Sequence, residues 1–290
     1  QFFPISDRPA VLFEIHMPYG TSIETTTPTA VKVESWLREQ KESSEVTSYI
    51  GQGAPRFYLA MAPELPDPSF AKIVVLTADP TEREELKLRL RQAISDGLAP
   101  EAQVRVTQLV FGPYTPYPVA FRVMGPDPTV LRDISAKVKG VMEKNPMMRT
   151  VNTDWGTRVP SLRFVLDQNR LNAVGLSTAA VSQQLQFLLS GAPITEVRED
   201  IRSVQITGRA LGNVRTDPAQ ISSLTLTGAQ GQRIPLSQIG EVEVVMEDPL
   251  VRRRDRTPVI TVRGDIAEGL QPPDVSVAVL KELQPVIEGL

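Results

Sequence analysis

Between residues 11 and 110 the apolar pattern changes period in a fixed order, and that order restricts the fold more than any other feature of the chain. Val11, Phe13 and Ile15 alternate with Leu12, Glu14 and His16, the two-residue period of a strand. Pro18-Tyr19-Gly20 ends it. Val31, Val33, Trp36 and Leu37 then fit helical spacing behind a cap at Ser22 or a nearby Thr, with Pro28 expected in the first turn. Strands are predicted at 46–50 and 71–77. A helix is predicted over 82–94, with acidic residues early and Arg89 and Arg91 late, as the helix dipole favours. A fourth strand follows at 104–110. The order βαββαβ is that of a ferredoxin-like split unit.

The pattern starts again after a proline-rich connection that should act as a stiff hinge, Phe111 to Tyr117. A strand at 119–124, a helix over 129–142 with Val130, Ile134, Val138 and Val141 on one stripe, and a strand at 149–155 repeat the first half-unit. A different segment intervenes from Pro160: a strand at 162–166, a helix at 177–189 with Ser177 as its cap, and two paired runs at 194–210 and 224–247. The interrupted unit resumes with a strand at 258–265 and a helix at 275–287, and the sequence ends where a last strand would be needed. The fold class expected is α+β: two ferredoxin-like (βαββαβ) units, the second interrupted by an inserted α+β subdomain. The expected boundaries are 1–115 for the first unit, 116–159 and 251–290 for the two parts of the second, and 160–250 for the insertion.

Composition removes several function classes. A chain of 290 residues with no cysteine and one histidine, His16, offers no thiolate, no metal cluster and no histidine-based triad. An enzyme is therefore not expected, nor a cofactor. A net charge of −3 gives no electrostatic reason for nucleic acid. Gly51-Gln52-Gly53 lacks the third glycine and the following helix of a dinucleotide fingerprint. The apolar runs are too short to span a bilayer. The start at Gln1 with no leader suggests a piece of something larger.

What remains is binding. The stretch Tyr49 to Pro66 joins two glycines to an aromatic group, Tyr49, Phe57 and Tyr58, suited to gripping apolar molecules or, equally, to closing the end of a strand. Two such units side by side leave a cleft between facing sheets. The face of the first strand carrying Leu12, Glu14 and His16 would line it. Val104 and Val106 could line it too, although they also read as core. Phe111 in the connection and Trp155, the latter more often a core anchor than a ligand platform, complete the candidate substrate-binding set. Separately, Leu224 to Leu236 reads as a hairpin whose polar tip is Gly228, Ala229, Gln230, Gly231 and Gln232, with Pro235 marking an edge or a break.

Ordered motifs over nearly the whole chain carry a resemblance. They are Phe2-Phe3-Pro4 with Asp7-Arg8-Pro9, Pro18-Tyr19-Gly20-Thr21-Ser22, Pro55-Arg56-Phe57-Tyr58-Leu59, Asp154-Trp155-Gly156, Asp167-Gln168-Asn169-Arg170 through Gly175-Leu176-Ser177, Arg233 to Ile239, and Arg253-Arg254-Asp255-Arg256. In that order they resemble the large periplasmic loop of resistance-nodulation-division (RND) transporters of the acriflavin-resistance, multidrug-efflux type, and more the second such loop than the first. The resemblance implies two porter subdomains with a docking subdomain inserted in the second. It also implies a proton-driven antiporter of the inner membrane, exporting hydrophobic or amphipathic small molecules. A homotrimer meeting a periplasmic adaptor and an outer-membrane channel is implied too, with the hairpin tip as the docking contact. The alternative is a standalone periplasmic binding or interaction module with no transport role. In place of the long glycine-rich, Phe-repeating switch loop of well-known members the chain has Gly51 to Tyr58, GQGAPRFY.

Overall fold

The computed structural model describes residues 6–58, 61, 64–109, 116–212 and 217–290. The chain divides into two compact units, one of residues 1–159 with 248–290 and one of 160–247. Each is described in turn.

The first unit contains two sheet layers. In the first layer β1 (Ala10–His16), α1 (Ile23–Arg38), β2 (Glu45–Ile50), β3 (Phe70–Leu76), α2 (Pro80–Ser95) and β4 (Gln103–Gln108) follow the βαββαβ order read from the sequence. The sheet order is β2-β3-β1-β4, with every neighbour antiparallel. Val11, Phe13 and Ile15 from β1 and Ile73 and Val75 from β3 are buried with Val33 and Leu37 of α1 and Leu86 and Leu90 of α2. Pro28 departs from expectation. The helix already begins at Ile23, so the proline lies in its second turn. There it lacks the N–H that an interior helical residue would donate to the carbonyl four residues back. Asp79 starts α2 by accepting from the Thr81 and Glu82 amides at 2.7 and 2.9 Å, with Pro80 at the first helical position.

The second layer is built from β5 (Val119–Met124), α3 (Pro128–Lys144), β6 (Met148–Thr153), β13 (Arg253–Arg254), β14 (Thr257–Ile266), α8 (Pro272–Glu282) and α9 (Gln284–Glu288). β14 is central: β5 and β6 flank it antiparallel, and β13 pairs with its first residues. The buried residues of α3 are Leu131, Ser135, Val138 and Met142; of the expected stripe Val138 is buried, Ile134 and Val141 pack half-buried against the same core, and only Val130 faces outward. The single helix expected at 275–287 is two, because Pro285 cannot donate to the Lys281 carbonyl and the chain breaks at Leu283. The register of β14 against β6 shifts between Arg263 and Asp265. Gly264 sits at that shift, where a Cβ would lie 2.8 Å from Met148 Cε and 2.9 Å from the Arg149 carbonyl. Only glycine fits so close an approach.

In the unit of residues 160–247, β7 (Val159–Leu166) pairs with β12 (Gly240–Glu247). Between them come α4 (Gln168–Ala173), α5 (Thr178–Leu189), the hairpin β8 (Ala192–Glu199) and β9 (Arg202–Gly208), α6 (Pro218–Ser222), the hairpin β10 (Thr225–Thr227) and β11 (Arg233–Pro235), and α7 (Leu236–Ile239). Ser177 caps α5 through the Ala180 amide at 3.2 Å. Leu171, Val181, Leu226, Ile234, Leu236 and Ile239 form this unit's own core.

Candidate functional site

Register decides which side chains face outward from the first sheet. Phe13 pairs with Val106 and Ile15 with Val104, so both valines lie on the helix-covered face with the apolar core. They do not line a cleft. The opposite face carries Leu12 beside Thr107 and Glu14 beside Arg105 and Lys72. Glu14 is buried with Lys72 Nζ at 3.3 Å, Arg105 Nη1 at 3.3 Å and His16 Nε2 at 3.8 Å. Burial alone would raise its pKa. The His16 imidazole and the charges of Arg105 and Lys72 outweigh that and hold it at about 2. Lys72 also holds Glu64, which ties that residue to the sheet.

Arg105 reaches the second layer as well. Its Nε and Nη2 each meet an Asp265 carboxylate oxygen at 2.8 Å, and Nη2 donates to the Pro116 carbonyl at 2.6 Å. This two-point geometry is the strong form of a charged hydrogen bond. Burial works against the charge on Arg105, but Asp265, followed by Glu14, raises its pKa well above the ordinary value. The guanidinium stacks 3.9 Å from the Tyr117 ring centroid, and Arg263 lies 4.5 Å from the same centroid. Burial pushes the Tyr117 hydroxyl up, and the two arginines pull it the other way.

Beside this network is a cavity of about 970 Å³ lined from both layers of the unit. His16, Asp67, Ser69 and Gln103 face it from the first layer, and Arg132, Lys139, Arg149, Asn152, Asp154 and Arg263 from the second. Arg132 is held by Asp248 at 2.5 Å and by the Gly156 carbonyl at 3.1 Å, and Arg252 approaches Asp154 at 3.6 Å. Arg149 donates to the Pro146 and Met148 carbonyls at 2.7 Å. The wall is thus charged in both signs, which suits a ligand with polar groups at fixed places more than a purely apolar one.

The sequence candidates part company here. Leu12, Tyr49 and Tyr58 do meet, packing with Ala54, Met61 and Leu109 on the outer face of the first sheet. Trp155 is 1% exposed and donates from Nε1 to the Val259 carbonyl at 2.7 Å, so it is a core residue with Leu131 and Ile260. Phe111 lies outside the described residues. Phe57 is 45% exposed. Phe57→Ala is expected to change stability by less than about 0.5 kcal/mol in urea melts; a loss of several kcal/mol would mean the ring is core. Lys72, Arg105, Asp265, Tyr117 and Arg263 were not among the candidates. A signal existed: one charged residue in each of three apolar strands, AVLFEIH, FAKIVVL and QVRVTQ.

At the other candidate site, Leu226 pairs with Ile234, and Pro235 occupies the last place of its strand before α7. Ala229 and Gln230 are exposed. Gly231 takes φ +80°, and a Cβ on Gly228 would lie 2.7 Å from Ile234 Cδ1. Gln232 ties the tip down by donating to the Val174 carbonyl at 3.1 Å.

A family model described as AcrB/AcrD/AcrF family matches residues 1–286. The chain belongs to that family. The AcrB/AcrD/AcrF family is one of RND transporters rather than enzymes. Among curated proteins the chain is similar to the swarming motility protein SwrC of Bacillus subtilis, 21% identical over 252 residues, covering 82% of this chain and 22% of SwrC. It is also 24% identical over 109 residues to an uncharacterized transporter of Haemophilus influenzae, covering 38% of this chain and 11% of that protein. Two crystal forms of a heavy metal efflux pump share its fold, with TM-scores of 0.76 and 0.79 at 21% and 20% identity. They cover 99% of this chain, which spans 30% of the pump. Among the described residues no helix is long and apolar enough to cross a membrane.

Proposed function

We propose that this member of the AcrB/AcrD/AcrF family is the periplasmic porter and docking region of a proton-driven RND efflux transporter of the inner membrane. Residues 1–115 form the first porter subdomain, 116–159 and 251–290 the second, and 160–250 the docking subdomain. The observation that carries the reading is the cavity of about 970 Å³, walled by both sheet layers and of a size to hold a small molecule. Its charged wall favours amphipathic cargo over purely apolar cargo. In the whole transporter, three such chains assemble and meet a periplasmic adaptor and an outer-membrane channel, with Gly228 to Gln232 as the docking contact.

Export assays with the complete transporter in cells lacking other pumps test this. Lys139→Ala with Arg149→Ala removes two positive charges from the wall and should slow export of an anionic amphipathic dye about fivefold, and of a cationic one less. A five-residue Gly-Ser insertion between Ala229 and Gln230 should leave the fold intact while export of both dyes falls. Normal export in both variants at unchanged protein level overturns the reading.

A further inference from the structure

Among the described residues, the two sheet layers of the first unit share no buried apolar cluster. Among the described residues, the buried apolar clusters of the first layer draw only on residues 10–106 and 109, and those of the second only on residues 119–286. Polar contacts join the layers. Arg105 on β4 holds Asp265 at the end of β14 through two hydrogen bonds of 2.8 Å. A second link repeats the arrangement further out: Glu268 receives Arg91 Nη1 at 2.6 Å and Lys87 Nζ at 3.2 Å, both from α2.

Each link has the same construction. The acid comes from the second layer and the base from the first, where the two sheltered bases, Arg105 and Lys87, keep another partner, while Arg91, 40% exposed, can turn to water. Arg105 retains Glu14 at 3.3 Å, and Lys87 retains Glu84 and Gln108, both at 2.7 Å. A buried cation stripped of every partner is costly, which would make such a link a permanent rivet. Here a parting of the layers leaves Arg105 on Glu14 and Lys87 on Glu84. The released acids are the solvent-accessible members: the Asp265 side chain is 23% exposed and the Glu268 side chain 47%, against 10% for Arg105 and 6% for Lys87. Water can therefore take over the acids that the bases give up.

We propose that Arg105–Asp265 and Lys87/Arg91–Glu268 form a releasable latch that sets the opening between the two layers, with Glu14 and Glu84 as the bases' resting partners in the open state. Arg105 and Asp265 act as positioning residues, since the adjacent cavity is lined by Gln103 and Arg263, two places from each. The latch stands on these contacts alone, whether or not the cavity carries an exported molecule.

The chain has no cysteine, so spin labels can be placed by substitution alone. Labels at Leu88→Cys on α2 and Lys137→Cys on α3, both exposed, report the separation of the layers by double electron–electron resonance. The parent should give one dominant distance. Asp265→Asn should raise a second, displaced population about tenfold, and Glu268→Gln, at a more exposed acid, about threefold. Thermal melts establish that each variant is folded. Distance distributions superimposable on the parent in folded Asp265→Asn and Glu268→Gln proteins overturn the latch. If Asp265→Asn does not fold, Glu268→Gln decides alone, because its exposed side chain can be neutralised without touching a core: an unchanged distribution refutes the proposal, and a shifted one supports it.

Discussion

Lys72→Met should lower the stability of the unit formed by residues 1–159 and 248–290 by about 3–5 kcal/mol at pH 7. Lys72 is 2% exposed on β3 and is the shared cation of Glu14 and Glu64. Methionine keeps the length of the side chain and removes the charge, so Glu14 is left buried with less compensation. The loss depends on pH in a defined direction. Glu14 has its pKa depressed in the folded chain from 4.5 to about 2. Such a group contributes stability that is fully present above 4.5 and disappears as pH falls through about 2, here about 3 kcal/mol. Without Lys72 the depression is smaller, so the parent loses more stability on acidification than the variant does. Urea melts at pH 7 and pH 3 should therefore show the gap between the two proteins narrowing. A gap below about 1 kcal/mol at pH 7 would show that the pairing contributes no more than a surface ion pair.

Trp155→Ala should cost about 3–5 kcal/mol in the same melts. The indole is buried against Leu131 and Ile260, with the Arg132 guanidinium 5.8 Å from its ring centroid. Truncation opens a cavity and leaves the Val259 carbonyl, which now accepts from Nε1 at 2.7 Å, without that donor. Trp155→Phe separates these effects, because it keeps most of the packing and loses only the donor; about 1–2 kcal/mol is expected from it. Equal costs for the two variants would mean that the hydrogen bond, and not the packing, dominates.

The element order of both sheet layers was legible because burial imposes periods of two and 3.6 on the apolar residues, and those periods survive in one dimension. The alternation in β1 sorted Phe13 from Glu14 correctly. Positions that depend on a neighbour were less so. Val104 and Val106 were weighed as cleft or core, and only the pairing Ile15–Val104 and Phe13–Val106 decides the face. Of the α3 stripe, Ile134, Val138 and Val141 pack on the core as expected, while Val130 does not and Ser135 is buried in addition, a choice made by the sheet the helix covers. Arg105 and Asp265 lie 160 residues apart in sequence, and no local pattern links them. The three charged residues placed singly in apolar strands were the available trace. A buried charge demands a partner, so their shared face could have been inferred once the strand order was written down.

Because, among the described residues, the two sheet layers of the first unit keep separate apolar cores, the parting proposed above should bring little buried apolar surface into water. Heat capacity changes chiefly with apolar exposure, so the open and closed states of the proposed latch should differ little in heat capacity. Their balance then has almost no curvature with temperature, unlike the stability of the unit as a whole. Dissolved salt acts on it more directly, through the exposed Glu268 link first and the more sheltered Arg105–Asp265 link later.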